Sequence, residues 1–301
     1  MTHAFDVPDP KKIRLIVNTD ARNEADDQFA IVHAILTPRF IIQGIIAAHF
    51  GQKRRTDSMQ ASYDEVLHCL KLMGLDGQVP VFKGATRAIP DEQTPEMSEG
   101  AELIIRAAMS DDPRRLYVVF LGPITDLASA YLREPRIAGR LTAIWIGGGA
   151  YPAGGPEFNL GNDIHAANVI LGSPIELWQV PRTVYTTMRV SIAELAWKVR
   201  PCGAIGNYLY QQLIDFNNER GDVLRWPKGE MWSLGDSPAI SLLIDEHEYG
   251  YEVRPAPRFT PDQLYTYPPT DRMIRVYHFV DPRFTLEDMF AKLHLHYPPG
   301  K

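Results

Sequence analysis

The sequence predicts an α/β fold, an open and mostly parallel sheet flanked by helices with a Rossmann-like core. Three observations carry this expectation. Short continuous apolar runs recur between residues 13 and 181, and each is followed by a stretch with apolar residues at helical spacing. The polar clusters fall where the runs end, which in such folds is the ligand-binding edge of the sheet.

Taken in order, IRLIVN (13–18) is a buried-strand pattern, and DDQFAIVHAIL then has helical spacing. IIQGIIAAHF (41–50) is a second strand, followed by the helix SMQASYDEVLHCLKLMG. PVFKG (80–84) is short and β-like, AELIIRAAMS is helical, and RLYVVFLG (115–122) is a further strand. ITDLASAYLREP reads as a helix stopped by Pro135. LTAIWIGGG (141–149) is a strand running into glycines. DIHAANVILGS is a helix with Asp163 as its N-cap, and IELWQVP is the next strand. Beyond residue 181 the pattern loosens. SIAELAWKV, IGNYLYQQLIDFNNE and DSPAISLLID read as helices, and the tail from 251 is rich in proline and aromatics. No repeat or linker interrupts the chain, so residues 1–301 are expected to form one domain.

Composition narrows the function classes. The formal charge of −6 argues against holding nucleic acid by its phosphates. The apolar runs are far shorter than the ~20 residues a membrane span needs, and MTHAFDVPDPKK has no signal- or transit-peptide pattern. The two cysteines, Cys69 and Cys202, stand in no zinc spacing and are too few for a disulfide framework. A reducing, cytoplasmic setting is expected.

The chemistry concentrates after the first strand. Asp20, Glu24, Asp26 and Asp27 fall within one short loop, with Asn18 and Asn23 beside them. One or two acids there would simply favour a helix N-terminus. Four repel one another unless a cation sits among them, and hard carboxylate oxygens suit Ca²⁺ or Mg²⁺ rather than zinc. An EF-hand is excluded, because its glycine position is Asn23 here. The glycines at 147–149 do not form a dinucleotide fingerprint and are read as permitting close backbone approach.

With these residues in place, the chain resembles the inosine-uridine preferring nucleoside hydrolases. NTDARNEADDQFA is similar to that family's opening D-x-D-P-G-x-D-D-A, with Asn18 at the first aspartate and an insertion before Asp26-Asp27. GIIAAHFGQ, PVFKGA, LGPITDLA with EPRI, IWIGGGAY with PEFNLGNDIHAA, and GDSPAI resemble later family segments in the same order. The resemblance implies a calcium-dependent N-glycosyl hydrolase acting on a small nucleoside or glycoside, and a homo-oligomer. It implies Asp20 as calcium ligand and as the base that activates water. Asp27, Asp236 and the Leu121 carbonyl would be further ligands. Asp26, Glu157 and Asn159 would bind the sugar hydroxyls, with Asn23, Gln52 and His49 also assigned to substrate.

The chain departs from the family in three places. The Asp-Asp spacing is longer, the loop from Gly149 to Glu157 is short, and Gly235 stands where a subgroup has the histidine that protonates the base. His49 and His165 are the replacement acids to consider. Tyr151, Tyr185 and Trp232 are aromatics able to stack on a base, though such residues are more often packing. The basic run at 53–55 reads as a solvated turn, with a phosphate grip as the minor alternative.

Overall fold

The computed structural model describes residues 3–221 and 229–300. The chain begins with β1 (Ile13–Thr19), α1 (Asp27–Leu36), β2 (Phe40–Ala47), α2 (Ser58–Leu72) and β3 (Val81–Lys83). It continues through α3 (Glu99–Ala108), β4 (Leu116–Phe120), α4 (Thr125–Arg133) and β5 (Leu141–Ile146). Two helices, α5 (Phe158–Asn162) and α6 (Ile164–Gly172), precede β6 (Glu176–Val180) and α7 (Arg182–Tyr185). The second half holds β7 (Arg189–Ser191), α8 (Ile192–Lys198), α9 (Gly203–Glu219), β8 (Met231–Ser233) and α10 (Pro238–Ser241). It closes with β9 (Tyr251–Pro255), β10 (Arg258–Phe259), β11 (Tyr265–Thr266), β12 (Met273–Tyr277) and α11 (Pro282–His296).

Eight strands form one sheet in the order β3-β2-β1-β4-β5-β6-β12-β9. All its pairings are parallel except β9 with β12. The strands are continuous apolar runs because both faces are covered. Leu15 and Val17 of β1 pack with α1, α2, α9 and α11, whereas Ile16 packs with α3, α4 and α6. The same alternation recurs in β4, where Val119 faces the first layer and Val118 the second.

The chain moves outward from β1 to β2 and β3, then returns to place β4 on the other side of β1. This reversal opens a crevice between the carboxyl ends of β1 and β4, the position where open α/β sheets bind ligands.

Two regions differ from the sequence expectation. DSPAISLLID yields only the four-residue α10, because i→i+3 bonds such as Ala239 N–H to Asp236 O and Ile240 N–H to Ser237 O tighten the segment into turns. The tail read as irregular supplies two sheet strands and the fifteen-residue α11. Its N-cap Asp281 accepts from Phe284 N–H, and Pro282 opens the helix.

Candidate active site

β1 delivers its carboxyl end to the crevice fully buried, and the acidic loop follows at once. Ala21 and Ala25 anchor that loop in the core, where Gln28 and Gln212 donate to their carbonyl oxygens at 2.6 and 2.9 Å. α1 then starts at Asp27 with Asp26 as its N-cap residue, so the two aspartates sit at a helix N-terminus whose dipole favours negative charge.

These acids line an open cleft of about 650 Å³, together with Leu121, Ile146, Glu157, Asn159, Tyr185 and Asp236. Asp26, Asp27 and Asp236 each bring a carboxylate oxygen within 4.8 Å of the others. Asp20 lies beside them, almost wholly buried, and its Oδ2 has no hydrogen-bond partner. A Cβ on Gly122 would stand 2.6 Å from Asp20 Oδ1, so this glycine is what admits the carboxylate to the crevice.

The electrostatics follow from crowding. Burial, then Asp27 and Asp26, push the Asp20 carboxyl well above the usual range. Burial and Glu24 raise Asp26, while burial, Asp26 and Asp27 raise Asp236. Asp27 reaches only about 6, because burial is partly offset by a 2.5 Å hydrogen bond from the Thr19 hydroxyl. Burial takes Glu24 to about 7. A set of buried oxygen donors held this close, one of them orphaned, fits a hard divalent cation.

The opposite wall is built by the N-terminus of α5. Glu157 caps this helix, accepting from Asn159 and Leu160 N–H, and it also accepts from Gly148 N–H. Asn159 Nδ2 donates to the Leu121 carbonyl at 2.6 Å and to the Ile146 carbonyl at 2.9 Å, tying together the ends of β4 and β5. Both amide hydrogens are thereby taken, and Asn159 Oδ1 is the atom left for a ligand. Asn23 also lines the cleft, with its Oδ1 held by Arg54.

The structure therefore gathers Asp20, Asn23, Asp26, Asp27, Leu121, Glu157, Asn159 and Asp236 at one cleft. It does not bring His49 or Gln52 there. His49 turns into the protein, where Nδ1 accepts from Gly51 N–H and Nε2 meets the Thr125 hydroxyl at 3.0 Å. Burial lowers its imidazole to about 4, so it is neutral and spent on packing. Gln52 lies in an exposed turn. His165 is exposed beside Glu92, and Trp232 is buried against Phe216. No histidine lines the cleft among the described residues. The sequence reading did not single out Arg182, Arg189, Met231, Ser233 or Gln263, which also line it. Gln263 reaches it from the β10–β11 turn, its Oε1 accepting from Glu157 N–H.

Comparison with known proteins decides the family. The description "inosine-uridine preferring nucleoside hydrolase" matches residues 15–277. The chain belongs to this family. It is thus an N-glycosyl hydrolase of the nucleoside hydrolase type. Uridine nucleosidase 1 of Arabidopsis thaliana is 24% identical over 268 residues, covering 73% of this chain and 77% of that protein. The inosine-uridine preferring nucleoside hydrolase of Leishmania major is 31% identical over 150 residues, 48% of this chain and 46% of that protein. The fold is shared with a purine-preferring ribonucleoside hydrolase from Gardnerella vaginalis, with a TM-score of 0.77 at 19% identity. That match covers 94% of this chain and 99% of the other. A plant nucleoside hydrolase, PpNRh1, superposes with a TM-score of 0.73 at 21% identity, covering 96% and 100%.

Proposed function

We propose that this nucleoside hydrolase cleaves the N-glycosidic bond of ribonucleosides or related N-ribosides in a calcium-dependent reaction, with Asp20 as the base. The observation that carries this reading is the buried Asp20 carboxylate, with a free Oδ2, beside the Asp26-Asp27-Asp236 cluster at the cleft floor. Asp20, Asp27, Asp236 and the Leu121 carbonyl would hold the ion. A calcium ion there supplies charge to offset the carboxylates and orients the oxygens around it.

Each residue then has a defined task. Asp20 takes a proton from the attacking water, and its Oδ2, which has no hydrogen-bond partner, is the oxygen free to receive it. Positive charge develops on the sugar ring as the bond to the base lengthens, and the surrounding carboxylates stabilise it. Asp26 and Asn159 Oδ1 receive sugar hydroxyls, and the Glu157 cap fixes that wall. Since no histidine reaches the cleft among the described residues, the base departs without an imidazole acid.

The test is reducing-sugar release from a panel of purine and pyrimidine ribonucleosides, in calcium and then in chelator. Chelator-sensitive release is expected, and Asp20→Ala should reduce it at least a thousandfold. Near-wild-type turnover in Asp20→Ala would sink the mechanism. Release from another glycoside and from no nucleoside would replace the substrate class, and saturable binding without product would leave a binding protein.

A further inference from the structure

Glu157 lies on the cleft wall, yet its carboxylate is already saturated. Oε2 accepts from Gly148 N–H and Leu160 N–H, both at 2.8 Å. Oε1 accepts from Asn159 N–H at 3.1 Å and from the Tyr185 hydroxyl at 2.9 Å. A carboxylate offers about four acceptor sites, and all are used. Three of the donors are backbone groups, two of them the capped start of α5, and they cannot leave without unwinding it. The fourth is Tyr185, which itself lines the cleft.

The ring of Tyr185 has room there because of Gly235. A Cβ on Gly235 would stand 2.9 Å from Tyr185 Cδ2 and 3.4 Å from Asp26 Oδ2. The tyrosine thus fills space that any side chain at 235 would claim, directly before the cluster residue Asp236. Burial and the adjoining Glu157 carboxylate keep the phenol protonated. Its proton is given to Glu157, which leaves the oxygen's lone pairs as the hydrogen-bonding capacity of a residue that lines the cleft.

We propose that Tyr185 is a substrate-binding residue, whose phenol oxygen accepts a hydrogen bond from one hydroxyl of the bound sugar. Glu157 acts through it, holding the phenol in place, and does not itself touch that hydroxyl. The ligand class is a riboside presenting a free hydroxyl to this wall. This rests on the sugar-binding reading of the cleft given above.

The experiment compares wild type with Tyr185→Phe, both calcium-loaded, on a ribonucleoside the wild type cleaves and on its 2′-, 3′- and 5′-deoxy analogues. Tyr185→Phe keeps the ring and removes only the hydroxyl. The expected result is a KM raised about tenfold on the parent nucleoside with a smaller change in kcat. On one deoxy analogue the two proteins should have equal kcat/KM, because the missing hydroxyl is the one Tyr185 meets. Gly235→Ala, which displaces the ring, should reproduce the same hydroxyl-selective loss with unchanged circular dichroism. An equal penalty on all four substrates, or none on any, would overturn the proposal and leave Tyr185 as packing. Failure of the wild type to cleave any nucleoside would instead overturn the function reading, and this proposal with it.

Discussion

Replacing Asp236 by asparagine should make the calcium-free protein more stable while removing its capacity to hold the ion. Asp236, Asp26 and Asp27 present oxygens within 4.8 Å of one another. At that separation and an effective dielectric of about 20, two unit charges repel by roughly 3.5 kcal/mol. Asp236 faces two such neighbours, but a hydrogen bond between Asp27 and Asp236 means one proton is shared, so most of this repulsion is not realised. A gain on the order of 2 kcal/mol remains, which raises the melting temperature by about 4 °C. Thermal unfolding of both proteins in chelator at neutral pH reads this directly. Adding calcium at a hundred times its dissociation constant should then stabilise the wild type by about 2.7 kcal/mol and the variant hardly at all. If Asp236→Asn melts below the wild type in chelator, or keeps the full calcium shift, the acids are not a charge-strained cation site.

Three other outcomes follow from the same geometry. Gly122→Ala places a Cβ 2.6 Å from Asp20 Oδ1, so sugar release should fall at least tenfold with secondary structure intact; wild-type kcat would show that Asp20 has room to move. Without an imidazole in the cleft, kcat should climb steeply with the acidity of the departing base, and a flat dependence across the panel would mean an acid has gone unrecognised. Burial lowers His33 from 6.5 to about 4 while it hydrogen-bonds Asp288 at 2.7 Å. The unfolded chain therefore binds this proton first, and stability falls by up to about 3 kcal/mol as pH drops from 6.5 toward 4. The buried aspartates act in the opposite sense in wild type and variant alike, so urea unfolding should show His33→Gln gaining stability relative to the wild type as pH drops through this window. Parallel slopes would refute the assignment.

The parallel half of the sheet was legible because its strands are buried on both faces and interleave with helices of ordinary length. Asp163 capping α6, by accepting from Ala166 N–H, was equally visible. The tail was not. β12 is five residues long between polar turns, and α11 carries Lys292 and Thr285 among its buried positions, which breaks the apolar period. Lys292 is tolerated there because it meets Asp288 and the Thr37 hydroxyl. At the site, the residues gathered by consecutive βα loops were readable from local motifs. Gln263 was hidden, since its bond to Glu157 spans distant parts of the chain. His49 misled for the converse reason. It follows β2 into the crevice region, yet a side chain's direction is set by neighbours such as Thr125 that the local pattern does not reveal.

The acid cluster also constrains the order in which the protein can be made. Asp20, Asp26 and Asp27 leave the ribosome early, whereas Asp236 joins them only after β1 to β6 have been synthesised. Until then the nascent chain lacks one wall of the acid cluster and much of the mutual repulsion within it. α1, which opens at Asp27, is further clasped by α11 through His33, Thr37, Asp288 and Lys292, a contact that exists only when translation is nearly complete. Assembly of the acid cluster is therefore a late event in biogenesis, and a chain truncated before α11 would present the acids on a helix with no seat.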